Sequence, residues 1–161
     1  MRQAQSAFYD DVTGSICLSD LTNVGGIQLI SSENGGTVTL IEANANSLGG
    51  FFDATSDQQF EWAFFNSPLG PEPLNGGPFD LGAIVPTGTG LTPSEITENF
   101  FLGVVLAGSG ESDPRANPIT FTVRSLGGGH SPCEVPEPNA WLLVGVGLVG
   151  FLVPRRKLVI Q

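Results

Sequence analysis

From Gln3 to Glu134 the chain carries fifteen carboxylates but only two bases, Arg115 and Arg124, and a single histidine, His130. Acids are therefore the side chains best able to move protons. Two carboxylates flanking a glycosidic bond can hydrolyse it, one as acid and one as base or nucleophile. Asp53, Asp57, Glu61 and Asp80 are the acids that a fold could bring together for that purpose. Their spacing does not require it, since so many acids on one body will include neighbours by chance, and the reading favours a protein that is not an enzyme. His130 stands in Gly127-Gly-Gly-His130, where no packed neighbours would hold it against a nucleophile. Calcium is the one ion to consider, at Asp10-Asp11 or Glu111-Ser-Asp113, but neither has the regular alternation of a calcium loop, and exposed acidic turns are the simpler account. Zinc would need four ligands where Cys17, His130 and Cys133 supply three. No cofactor is expected.

The two cysteines lie 116 positions apart, one near each end of this acidic body. In a reducing compartment they are unrelated thiols, whereas in an oxidising one they can close a loop and join the two ends. A Cys17–Cys133 disulfide is the expectation if the chain is exported.

Charge excludes some partners. The net charge is −10 in 161 residues, and no lysine occurs before Lys157. Nucleic acid needs Lys and Arg to displace its counterions, so it is not a partner of this body. Anionic membrane surfaces should repel it too.

The elements that must position these residues read as strands and turns. With 22 glycines and 12 prolines, and a charged fraction of 14%, the composition suits short strands joined by many turns. Phe8 to Asp11 and Ser15 to Leu18 form short strands around Thr13-Gly14. Gly26 to Ile30 and Thr37 to Glu42 flank Asn34-Gly35-Gly36 and predict a β-hairpin. Asn44 to Gly50 reads as a loop. Gln59 to Phe64 alternates, placing Phe60, Trp62 and Phe64 on one face as the candidate core.

Ser67 to Pro78 holds four prolines and reads as a surface loop. Phe79 to Val85 is a strand, Thr92-Pro-Ser-Glu95 caps a short helix over Pro93 to Asn99, Phe100 to Ala107 is a buried strand, and Ile119 to Ser125 alternates. Seven or eight strands at this spacing predict a mainly β single domain, a β-sandwich or jelly-roll-like fold with one short helix, over residues 1–126. A flexible Gly/Pro linker, 127–139, and a C-terminal hydrophobic helix, 140–161, follow it.

That last segment has the physics of a membrane anchor. Between Trp141 and Val153 there is no charge, so a helix there could dissolve in hydrocarbon. At about 1.5 Å per residue, Asn139 to Val153 reaches roughly 22 Å, a marginal span for a core of about 30 Å. Arg155, Arg156 and Lys157 extend the reach by snorkelling and stay cytoplasmic, which places the body outside. Trp141 suits the opposite interface, with Leu142 and Leu143 behind it. Gly145, Gly147 and Gly150 permit close approach by another helix.

Pro136-Glu137-Pro138, the apolar segment and the basic cluster, in that order at the terminus, resemble the sorting signal of the PEP-CTERM proteins. Pro71-Glu72-Pro73 repeats the tripeptide without an apolar segment behind it and does not share the resemblance. Pro154 and the extra Leu158 to Gln161 depart from the family pattern. The resemblance implies a Gram-negative host, processing by an exosortase, transient anchoring in the inner membrane, and delivery to the outer surface or the extracellular matrix. A structural or adhesive role in an exopolysaccharide biofilm follows as the expected function, with exopolysaccharide a candidate partner. The alternatives are a secreted carbohydrate-binding module or glycoside hydrolase, favoured by an exposed aromatic platform beside carboxylates, and a permanently retained single-pass membrane protein. Met1 to Phe8 lacks the apolar run of a secretory signal peptide, so an upstream start is expected.

Overall fold

The computed structural model describes residues 5–64, 72–87, 92–124 and Cys133. Its strands are β1 (Ser6–Asp10), β2 (Ile16–Ser19), β3 (Leu21–Ile30), β4 (Phe51–Ser56), β5 (Gln59–Ala63), β6 (Leu74–Gly76), β7 (Phe79–Gly82), β8 (Phe101–Leu106) and β9 (Phe121–Arg124), with helix α1 (Pro93–Asn99) before β8. The protein is mainly β with one short helix, as its turn-rich sequence implies. The strands form two sheets that do not close into a barrel. One has the order β7-β2-β1-β9, with β9 parallel to β1; the other has β4-β5-β3, with β8 along the far edge of β3 and β6 pairing the start of β3 on the edge opposite β8, where Val24 pairs with both.

The alternation of each strand supplies one shared core. Ala7, Tyr9, Ile16 and Leu18 of the first sheet and Ile27, Leu29, Phe60, Trp62, Leu102 and Val104 of the second belong to a single cluster of buried apolar side chains. The aromatic face expected on β5 is at its centre. Phe60, Trp62 and Phe64 are all buried, and Phe52 of β4 meets Phe60 edge-on with ring centres 5.3 Å apart. The Trp62 indole N–H donates to the Asn46 carbonyl at 2.7 Å, so its polar edge is satisfied as the ring is buried.

The hairpin expected around Asn34-Gly35 does not form. Asn34 does adopt a positive φ of 51°, but within a 3-10 turn, Glu33–Gly35, and Thr37 to Glu42 is not a strand. The reason is competition for β3. Both edges of Gly26–Ile30 are taken, by β5 on one side and β8 on the other, which leaves no ladder for a hairpin partner. The displaced segment crosses between sheets: Leu40 N–H donates to Asp57 and Ile41 N–H to Ile84.

One strand, β4, occupies a stretch for which no element was expected, and another, β6, lies within a stretch expected to be a loop. β4 pairs with β5, and Leu74–Gly76 pairs with the start of β3 despite the prolines before it, because Leu74 supplies a side chain that the core can bury. The helix follows its sequence signal. Thr92 and Glu95 form the reciprocal capping box, and the Asn34 side-chain amide donates to the Glu98 carbonyl at 2.7 Å near the other end of α1.

Candidate functional site

Of the four acids considered for glycoside chemistry, two converge. Asp53 and Glu61 are direct partners across the β4–β5 ladder and sit on the face of the second sheet opposite its core. Asp57 lies in the turn between these strands. Asp80 belongs to the other sheet, where its carboxylate accepts the Gly82 N–H at 2.8 Å.

Of the acids considered for calcium, Asp10, Glu111 and Asp113 bond to groups in their own turns, and Asp10 is buried rather than in the exposed turn expected of it. Asp10 is fully buried and accepts from Val12 N–H at 3.2 Å and from the Thr13 hydroxyl at 2.6 Å. Glu111 accepts from Asp113 N–H, and Asp113 from Arg115 N–H, each at 2.9 Å. Among the described residues no three His, Cys, Asp or Glu side chains gather as a metal site. The Tyr9 hydroxyl is pushed up from its ordinary pKa by burial and then by the charges of Asp11 and Asp10, which suits a core residue rather than a proton donor.

Around Asp53 and Glu61 the outer face forms an open groove of about 400 Å³. Gly25, Gly26 and Ala63 are in its lining, small residues that keep the backbone accessible, while Glu111, Ser112 and Pro114 contribute from the β8–β9 connection. Glu61 is held in place: its Oε1 accepts from the side-chain amides of Gln28 and Gln59, both at 2.7 Å. Beside them Phe51 is 59% exposed, one of two large apolar side chains that stand out of the described surface. Among the described residues no base lines the groove. Arg115 is engaged elsewhere, bonded to Glu33 and lying over the Phe101 ring.

Sequence reasoning weighed Asp53 and Glu61 but missed Phe51 and Gln28. The alternation of Phe51-Phe52-Asp53-Ala54 was the available signal for Phe51: Phe52 and Ala54 turn toward the core, leaving Phe51 and Asp53 outside.

At the opposite sheet, Cys17 is bonded to Cys133, with α-carbons 5.2 Å apart. Ile16 and Leu18 point into the core, so Cys17 is on the outer face of β2, yet it is only 1% exposed. Its cross-strand neighbour Phe8 lies under the Arg124 guanidinium, 3.6 Å from the ring centre. The sheet thus holds the end of the body from which the tail departs. Pro136, Glu137, Pro138, the Trp141 to Val153 segment, Arg155, Arg156, Lys157 and His130 lie outside the described residues. Among the described residues no helix is long and apolar enough to cross a membrane.

An acidic two-sheet body ends at a disulfide immediately before its tail, and the tail identifies the class. Residues 134–157 match the PEP-CTERM protein-sorting motif, so the chain carries the sorting signal of exported proteins. No curated protein and no solved structure matches the chain.

Proposed function

We propose that this protein is an envelope-surface or extracellular-matrix component, held briefly in the inner membrane by its tail and released there by an exosortase. The single observation carrying this reading is the sorting motif at residues 134–157, beginning one residue after the disulfide-bonded Cys133. The motif implies export, and a bonded cysteine pair suits an oxidising compartment. A body of net negative charge, with its large aromatic side chains mostly packed inside, fits a structural or adhesive module better than an enzyme.

The experiment compares the mass of the mature carboxy terminus, and the location of the protein, in cells with and without an exosortase. Loss of Trp141 to Lys157 and departure from the inner membrane only when the enzyme is present supports the reading. Retention of that segment in both cells replaces it with the permanently retained single-pass protein.

A sugar-binding reading is favoured by one observation, exposed Phe51 beside Asp53 and Glu61. Burial of Phe60, Trp62 and Phe64 removes the aromatic platform that β5 would have offered. Hydrolysis has less support, because Glu61 already accepts two amide donors through one oxygen.

A further inference from the structure

We infer that the groove on the outer face of the second sheet binds a pyranose chain carrying free amino groups, with a sugar ring laid on Phe51 and its ammonium groups facing Asp53, Glu61 and Glu111. This deepens the surface-module reading and relies on it only for where such a polysaccharide would be met.

The lining selects the ligand. Among the described residues three carboxylates and no base face the groove, so uronic acids, sulfated sugars and phosphates would meet like charge there. A cation is complementary, and carboxylate acceptors make the stronger, charge-assisted hydrogen bonds. Among the described residues Asp53 and Glu61 are not joined by a third His, Cys, Asp or Glu into a group that could hold a metal ion. Phe51 adds what an ion does not use: a flat apolar ring, 59% exposed, at the same groove. The apolar face of a pyranose ring can cover it while hydroxyls and amines on the ring edge reach the polar groups. Gln28 and Gln59 fix the Glu61 carboxylate before any ligand arrives, and the paired Gly26 and Ala63, two positions further along the ladder from Gln28 and Glu61, leave room for a ring. A groove of about 400 Å³ lies within the size range of small-molecule sites, enough for a short segment and open for the chain to continue.

The test uses purified full-length protein and two short oligomers of equal length, glucosamine with free amines and its fully N-acetylated counterpart, measured by calorimetry at mildly acidic pH. Binding of the amine form, weakened by added salt and at least about tenfold weaker for the acetylated form, is expected. Phe51→Ala should reduce it about tenfold, as should Asp53→Asn with Glu61→Gln, while Glu42→Gln with Glu98→Gln, which removes the same charge outside the groove, should leave it unchanged. Equal binding of both oligomers overturns the inference, as does binding indifferent to Phe51→Ala or equal retention of an oligolysine of the same charge. Phe51 is a surface residue, so its variant should fold, and an unchanged near-ultraviolet circular dichroism spectrum verifies it. Surface delivery is measured separately, so a delivered protein that binds neither oligomer overturns this inference and leaves the sorting reading intact.

Discussion

Cys133 is bonded to Cys17, tying the last residue before the sorting motif to β2 of the first sheet. The chain leaves β9 at Arg124, yet the point at which the motif begins is set by β2. Cleavage within the motif would therefore leave the carboxy-terminal stub fastened to the fold. Non-reducing mass spectrometry of the exported protein should find no free thiol. Replacing both cysteines by serine should lower the unfolding free energy by about 2–4 kcal/mol, measured by denaturant titration, since the bond closes a long loop in the unfolded chain.

The core prediction concerns Trp62, whose ring is 1% exposed and packs beside Phe52 and Phe60. Trp62→Ala should cost about 3–5 kcal/mol through lost burial and the cavity left behind. Trp62→Phe keeps most of the volume but removes the donor to Asn46, and should cost less. Chemical denaturation of the two variants gives the order; an alanine variant as stable as the phenylalanine variant would contradict the packing described.

Much of this was legible in the sequence where pattern and environment agreed. β5 alternates because one face is core, and the Thr92–Glu95 capping box names its own helix. The tail was legible because charge, apolar length and order are properties of the chain itself. The hairpin failed because Asn34-Gly35 encodes a turn but not the partner of the strand before it. β3 is shared among three other strands, and their competition is invisible to any local window. The groove failed for a related reason. Phe51, Gln28, Glu61 and Glu111 come from four separated stretches, and only the pairing of β4, β5 and β3 with the β8–β9 connection makes them neighbours.

Acid should weaken one tie between distant parts of the chain. The Arg115 guanidinium bonds both oxygens of Glu33, at 2.7 and 3.0 Å, across 82 positions. That hydrogen bonding holds the Glu33 carboxyl below its ordinary pKa against the opposing effect of burial, with the Arg115 charge a lesser contribution. A carboxyl whose pKa is lower in the folded state contributes stability that is complete above its unfolded pKa and disappears as pH falls through the folded one. Glu33→Gln should thus reduce stability at neutral pH and have less effect once pH has fallen below the carboxylate range. The pair is partly exposed, so the difference should be small and should shrink in high salt. Melting temperatures of both proteins across that pH range measure it; a constant difference at every pH would assign the effect to something other than ionisation.

The last prediction concerns the edge of the first sheet. β7 is an outer strand, and a bare edge offers unpaired backbone groups to another chain. Here the segment after Ile41 covers it. Ile41 and Asn46 donate their backbone N–H groups to Ile84 and Leu81, while the side-chain amides of Asn44 and Asn46 donate to Ala83 and Asp80. This close approach depends on Gly82, which sits where the β2–β7 register shifts, with a φ of +100°. A methyl group there would overlap the Asn44 carbonyl oxygen, and a side chain would resist that φ. Gly82→Ala should therefore destabilise the protein by about 2–4 kcal/mol, with the cover lifted before the core opens. Hydrogen exchange should show it, with the Ile41 and Asn46 amides losing protection in the variant while Leu29 and Leu102 keep theirs. If the exposed edge is what the cover prevents from pairing, the variant should also self-associate at concentrations where the unaltered protein does not, as read by sedimentation. A Gly82→Ala protein with unchanged Ile41 and Asn46 protection would mean that the strand cover does not rely on this glycine.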